Sequence, residues 1–94
     1  MTRKQLERGK ELEDLMDRLR YKKKKLEEIK DLCFENMDIA KKVTHLFYVR
    51  TIGKNGMNDN MIEVTAHAVY CGVYQDIKEI EDELRILDKE FKDL

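Results

Sequence analysis

Apolar residues recur at heptad spacing through the last third of the chain. They form two columns, which are Tyr70, Ile77, Leu84 and Phe91, and Ala66, Val73, Ile80, Leu87 and Leu94. Two such columns lie side by side along one face of an α-helix. The pattern predicts a long helix over about residues 66–93.

A second apolar stripe runs through the first third of the chain. Thr2 and Gln5 have the spacing of a capping box, which predicts a helix from about residue 3 to about residue 38. Its heptad columns are Leu12, Leu19, Leu26 and Cys33, and Leu15, Lys22, Ile29 and Asn36. Because the second column contains two polar residues, we expect a flawed core along this helix, with Met16 outside the heptad positions.

The segment between the two helices has the character of a β-hairpin. Residues 43–51 are rich in β-branched and aromatic side chains that alternate between two faces, and residues 61–65 can return as a second strand. Between them lies Asn55-Gly56, a pair typical of two-residue hairpin turns. The predicted fold is mainly α, with two long antiparallel helices joined by this short hairpin, in a single domain over residues 1–94.

Charge is distributed unevenly although the net charge is only -1. Residues 1–42 carry 13 basic and 10 acidic side chains, whereas residues 61–94 carry 4 and 9. An antiparallel arrangement therefore places the basic start of the chain beside its acidic end. Two helices and a hairpin make a thin core, and apolar residues lie outside both heptads, so we expect homo-oligomerisation to complete the fold, most simply as a dimeric four-helix bundle.

Several classes of protein are disfavoured by composition. No apolar run is long enough to span a bilayer and the charged start has no signal-peptide core, so we expect a cytoplasmic protein without membrane contact. Cys33 and Cys71 form no CxxC pair, which in a reducing compartment indicates two free, partly buried thiols. The near-zero net charge makes general nucleic-acid binding improbable.

A basic run at residues 18–25 is the one local exception. It contains six cations and Tyr21, a combination that could neutralise phosphates and stack a base. On a helix this run wraps round the whole circumference, and an antiparallel partner brings Glu79, Glu81, Asp82 and Glu83 towards it. We favour a solvated, salt-bridged face and keep nucleic-acid contact as the alternative.

The chain shows no recognisable catalytic or metal-binding motif. GxSxG, HExxH, P-loop and GxGxxG patterns are absent, so we expect a protein without enzymatic activity and without a cofactor. His67 and Cys71 stand four residues apart, but His45 and Cys33 are distant single residues, whereas structural zinc sites usually have two close ligand pairs. We therefore predict no metal site.

The best candidate for ligand binding is the region where the hairpin meets the second helix. Its aromatic, polar and cationic side chains suit a nucleotide-like or other anionic ligand. The predicted ligand-binding residues are Tyr48, Arg50, Asn60, His67, Tyr70 and Tyr74. The competing interpretation is that the tyrosines are core or subunit-interface residues and that the asparagines only shape the turn.

The whole layout resembles small accessory proteins of phages and prophages of low-GC bacteria. The likeness rests on a charged first helix opening MTRKQLERGKELEDL, a strand, a Gly/Asn turn and a closing heptad helix IKEIEDELRILDKEFKDL. It implies a role in the host cytoplasm against host defence, by sequestering a nucleotide-like signal or blocking a host protein. The expected function is thus a non-enzymatic, homo-oligomeric binding protein, and the alternative is a structural or regulatory coiled-coil protein that contacts nucleic acid through residues 18–25.

Overall fold

The computed structural model describes residues 2–38, 40–56 and 58–94, without the side chains of Asn58 and Asp59. Its elements in chain order are α1 (Arg3–Met37), β1 (Phe47–Ile52), β2 (Asn58–Val64) and α2 (Ala66–Lys92). The start of α1 lies beside the end of α2, so the helices pack antiparallel, and β1 pairs antiparallel with β2. The predicted class, mainly helical with two helices joined by a short hairpin, is confirmed.

Side-chain caps define where both helices begin. The Thr2 hydroxyl accepts a hydrogen bond from the Gln5 backbone N–H at 3.2 Å, and the Gln5 side chain accepts one from the Thr2 N–H at 2.8 Å. This is the predicted capping box. At the second helix the Thr65 hydroxyl accepts from the Ala68 N–H at 3.1 Å, so Thr65 caps α2 and β2 ends one residue before it.

The hairpin differs from the prediction at the start of each strand. β1 begins at Phe47, so residues 43–46 lie outside the strand, and β2 begins at Asn58, three residues earlier than predicted. The backbone N–H groups of Thr44 and His45 donate to the side chain of Asn36. Because a side chain satisfies these donors, this segment takes a course other than a strand.

The turn of the hairpin also differs in detail. The Gly56 N–H donates to the Gly53 carbonyl at 2.9 Å, so Lys54 and Asn55 form the centre of the turn. Gly56 has a φ of 81°, and it alone among the described residues has a positive φ, which rules out the two-residue type I′ turn centred on Asn55-Gly56. The register then shifts near Thr51, where a bulge brings Asn58 opposite Ile52.

The core is a single narrow line of side chains between the two helices. Its buried apolar residues, within the described part of the chain, are Leu12, Met16, Cys33, Val73, Ile77 and Ile80. Both heptad columns of α2 face this line as predicted. So does the α1 column that consists of Leu12, Leu19, Leu26 and Cys33. The second α1 column was assigned one residue too early, since Met16 is buried whereas Leu15 is 41% exposed.

The molecule is elongated and flat. Its principal extents are 56, 38 and 16 Å and its radius of gyration is 18.1 Å, against about 12 Å for a compact domain of this length. The hairpin extends away from the helices, and every residue of β1 after Phe47 is exposed. The ribbon therefore lacks the packing layer that a two-stranded hairpin normally needs for stability.

Candidate functional site

Two of the predicted ligand-binding residues are in direct contact on α2. The rings of Tyr70 and Tyr74 stack at an interplanar angle of 17° with centroids 6.1 Å apart. Phe34 of α1 lies against Tyr70 with centroids 6.5 Å apart, tilted by 45°, and the Lys78 ammonium stands 5.0 Å from the Tyr74 ring centre. We call these four residues the aromatic cluster.

Simple helix geometry explains the aromatic cluster. Tyr70, Tyr74 and Lys78 follow at intervals of four, which places them on one flank of α2 beside the line of core residues. The antiparallel packing of α1 then brings Phe34 to the same flank. Phe34 and Tyr74 are exposed and Tyr70 is half-buried, so the cluster offers aromatic faces and one cation to solvent. Such a surface can stack a planar ring and attract an adjacent negative charge.

His67, a third predicted residue, lies on the same flank one turn before Tyr70. Its Nε2 atom is 3.7 Å from the Sγ atom of Cys71, and both side chains are exposed. No group of three or more His, Cys, Asp or Glu side chains in the described ranges is placed to hold a metal ion. The His67–Cys71 pair is thus a polar edge of the aromatic cluster.

The three predicted residues on the hairpin divide between its two faces. Tyr48 pairs with Glu63 and Arg50 pairs with Met61, so these four side chains share one face. Asn60 pairs with Thr51, in the alternate register, and lies on the opposite face. In the part of the chain that the structure describes, no ring contact joins Tyr48 to the aromatic cluster. The six residues therefore form three groups, of which the one on α2 is contiguous.

Asn36 is a structurally important residue that the sequence analysis counted only as a flaw in the heptad. Its Oδ1 atom accepts the N–H groups of Thr44 at 2.9 Å and His45 at 3.0 Å, and its Nδ2 atom donates to the Leu32 carbonyl at 2.7 Å. It thereby ties the end of α1 to the chain entering the hairpin. The sequence did contain a signal for this role of Asn36. An amide side chain in the last turn of a helix can bind backbone donors of the segment that follows it.

A cavity of about 250 Å³ adjoins this junction. It opens between the base of the hairpin and the start of α2, and its polar lining includes Asn36, His45, Glu63 and Thr65. The backbone N–H groups of Thr44 and His45 beside it already donate hydrogen bonds to Asn36. The cavity therefore borders a structural junction.

The basic run is partly neutralised by ion pairs, as the favoured interpretation predicts. The Lys23 ammonium lies 3.5 Å from a carboxylate oxygen of Glu81 on α2 and 3.7 Å from one of Glu27. Lys25 lies 3.6 Å from Glu28 and 5.6 Å from the centre of the Tyr21 ring. Of the four acidic residues expected to approach the run, only Glu81 makes a described ion pair with it.

The opposite end of the helix pair carries a second ion pair between the helices. The Arg8 guanidinium donates to one carboxylate oxygen of Glu90 through two nitrogens, at 2.9 and 3.0 Å. The hydrogen bond to Glu90, with a smaller contribution from Glu11, raises the pKa of Arg8. These contacts agree with the expected attraction between the basic start and the acidic end of the chain.

The two cysteines occupy different environments. Both are free thiols, but Cys33 is fully buried and Cys71 is exposed, so the expectation of two partly buried thiols is wrong for Cys71. Burial raises the pKa of the Cys33 thiol, because a thiolate is poorly solvated in the core. A reactive nucleophile needs the opposite shift, so Cys33 is a core residue.

Comparison of the chain with protein-family models, curated proteins and solved structures yields no significant match. Within residues 2–38, 40–56 and 58–94, neither helix combines the length and apolar character needed to cross a membrane.

Proposed function

We propose that this chain is a non-enzymatic binding protein that acts as a homo-oligomer. The observation that carries the proposal is its accessible surface of 7819 Å², against about 5,700 Å² for a compact monomer of 11.3 kDa. The difference of about 2,100 Å² equals or exceeds the area that a typical specific interface buries in total. A partner that covers this surface would supply the burial that the thin core lacks.

The chemistry of the exposed surface supports association rather than simple elongation. Large apolar side chains are exposed on every element, and they include Leu6, Ile29 and Phe34 on α1, Val49 and Ile52 on β1, Met61 and Ile62 on β2, and Ile86 on α2. Single exposed apolar residues are ordinary, but a long series of them on so small a chain is typical of an interaction surface.

The aromatic cluster supports a nucleotide-like ligand. Tyr70 and Tyr74 present stacked rings, and Lys78 places a positive charge above the outer one, which together match a planar base with a nearby phosphate. With the resemblance to phage accessory proteins, this favours sequestration of a nucleotide-like defence signal over blocking of a host protein. Sequestration needs no turnover, in keeping with the absence of a catalytic motif from the sequence.

The alternative, a coiled-coil protein that contacts nucleic acid through residues 18–25, has weaker support. Lys23 and Lys25 are engaged by carboxylates, which would have to be displaced by phosphates. This alternative predicts nucleic-acid affinity that falls steeply with salt. It also predicts that nucleic-acid affinity depends less steeply on salt concentration when Lys22 and Lys24 are replaced by Gln.

Native mass spectrometry of the protein purified directly from cells tests the proposal. We expect an oligomer that retains excess mass of a few hundred daltons per bound ligand. A monomer at all concentrations would contradict homo-oligomerisation, and an oligomer without added mass would move the proposal from a small ligand to a protein partner.

A matched pair of variants tests the ligand surface. Tyr74 and Tyr21 each have a lysine four residues later above the ring, at 5.0 and 5.6 Å, but only Tyr74 stacks on a neighbouring ring. We expect Tyr74→Ala to lose the retained mass while the oligomer persists, and Tyr21→Ala to keep both. Equal retention in the two variants would exclude the aromatic cluster as the binding surface.

A further inference from the structure

We infer that one face of the hairpin is the surface on which a second copy of this chain docks. This hairpin face consists of Phe47, Val49, Ile62 and Val64. The inference rests on the proposed homo-oligomer and specifies where its subunits meet.

The strand register creates this face. Phe47 lies directly opposite Val64, and Val49 lies directly opposite Ile62, so the two cross-strand pairs project to the same side of the ribbon. Val49 is 49% exposed and Ile62 is 67% exposed, while Phe47 and Val64 at the base are half-buried. The apolar surface thus becomes more exposed towards the tip of the hairpin, away from the helices.

The ribbon needs a further layer for stability. An isolated two-stranded hairpin is marginally stable in water, and a third strand or a packed layer is normally required. The exposure along β1 indicates that the helices of the same chain do not provide that layer.

The composition of the hairpin face favours a second copy as its partner. The register positions on this side are 47, 49, 51, 60, 62 and 64, and none carries a charge, although 41% of the chain is charged. A two-fold axis can therefore lay the face on its own copy without bringing like charges together. The opposite face carries Arg50 and Glu63, which an apolar contact would have to desolvate.

The area required is consistent with such a contact. A standard interface buries about 600–1,000 Å² on each partner. Each copy of this chain exposes about 2,100 Å² more than a compact protein of its mass, so hairpin docking with adjacent helix contacts needs less than half of the excess. The remainder leaves the aromatic cluster available to a ligand.

Neighbouring residues on β2 provide a matched test. Ile62 and Met61 are 67% and 63% exposed and point to opposite faces, so a lysine at either position can reach solvent in a single chain. Sedimentation equilibrium over a concentration series should show that Ile62→Lys raises the dissociation constant at least tenfold and shifts the mass towards 11.3 kDa. Met61→Lys should retain the oligomer.

The outcomes separate this inference from the proposed function. A monomeric parent protein would overturn both, whereas an oligomeric parent with two oligomeric lysine variants would overturn only the hairpin face. Equal dissociation of both variants would also overturn it, because the contact would then not be confined to one face. If circular dichroism shows that Ile62→Lys is unfolded, Ile62→Thr, which keeps a β-branched side chain, replaces it in the same comparison with Met61→Thr.

Discussion

Leu12 and Leu15 offer a sharp test of how the two helices meet. They are three residues apart on α1, yet Leu12 is fully buried whereas Leu15 is 41% exposed. Truncating a buried leucine to alanine costs about 2–5 kcal/mol, because the lost transfer free energy adds to the cost of a cavity. We expect Leu12→Ala to lower the free energy of unfolding by about 3 kcal/mol, and Leu15→Ala by less than about 1 kcal/mol.

Urea unfolding followed by circular dichroism at 222 nm measures the difference. With a slope of about 1.5 kcal/mol per molar urea, a loss of about 3 kcal/mol lowers the midpoint by about 2 M. Low protein concentration limits the contribution of subunit contacts. Since a domain of this length has a total stability of about 5–14 kcal/mol, Leu12→Ala should remain folded only if the parent is well within that range.

If Leu12→Ala does not fold, a pair of less disruptive substitutions on α2 provides the same comparison. Ile80 is buried and Ile86 is exposed, so Ile80→Val should cost about 1 kcal/mol and Ile86→Val almost nothing. Equal losses for Leu12→Ala and Leu15→Ala, or a larger loss at Leu15, would refute the core arrangement described here. That result would return Leu15 to the contact between the helices.

Three further predictions concern the junction, the thiols and the helix interior. Asn36→Ala should lower the free energy of unfolding by about 1–3 kcal/mol, and Asn36→Asp by less because it keeps the acceptor, as urea midpoints will show. A thiol reagent should modify Cys71 at once and Cys33 only on unfolding. Burial raises the pKa of Cys33 above its ordinary value of 9.0, so the contribution of this thiol to stability should be full below pH 9.0 and should decline as the pH rises further. The variant Cys33→Ala should remove this pH dependence. Gly9→Ala should raise the thermal midpoint, because the new Cβ meets Leu94 at an ordinary 3.5 Å and alanine favours the helix by about 1 kcal/mol, whereas a lower midpoint would indicate a closer contact.

The candidate site was only partly predictable from the chain. Tyr70 and Tyr74 share a helix flank because they are four residues apart, and their contact could be expected from that interval. The contribution of Phe34 could not, because it depends on the offset between two antiparallel helices. Asn60 was grouped with Arg50, but the register pairs Arg50 with Met61 and Asn60 with Thr51, so simple strand alternation places them on opposite faces. That register depends on how the two strands meet.

Sequence by itself determined the elements of this protein and their order. The cap at Thr2, the apolar spacing along both helices and the Gly/Asn turn are local features, and local hydrogen bonding and periodicity decide them. Only the structure decided that Met16 and not Leu15 enters the core, that Thr65 caps α2, and that β1 begins only at Phe47, after the backbone bound by Asn36. The first outcome depends on the rotation of one helix against the other, which arises from contacts between residues distant in the chain. The start of β1 depends on a side chain that binds the backbone eight and nine residues further on, a contact that periodicity does not reveal.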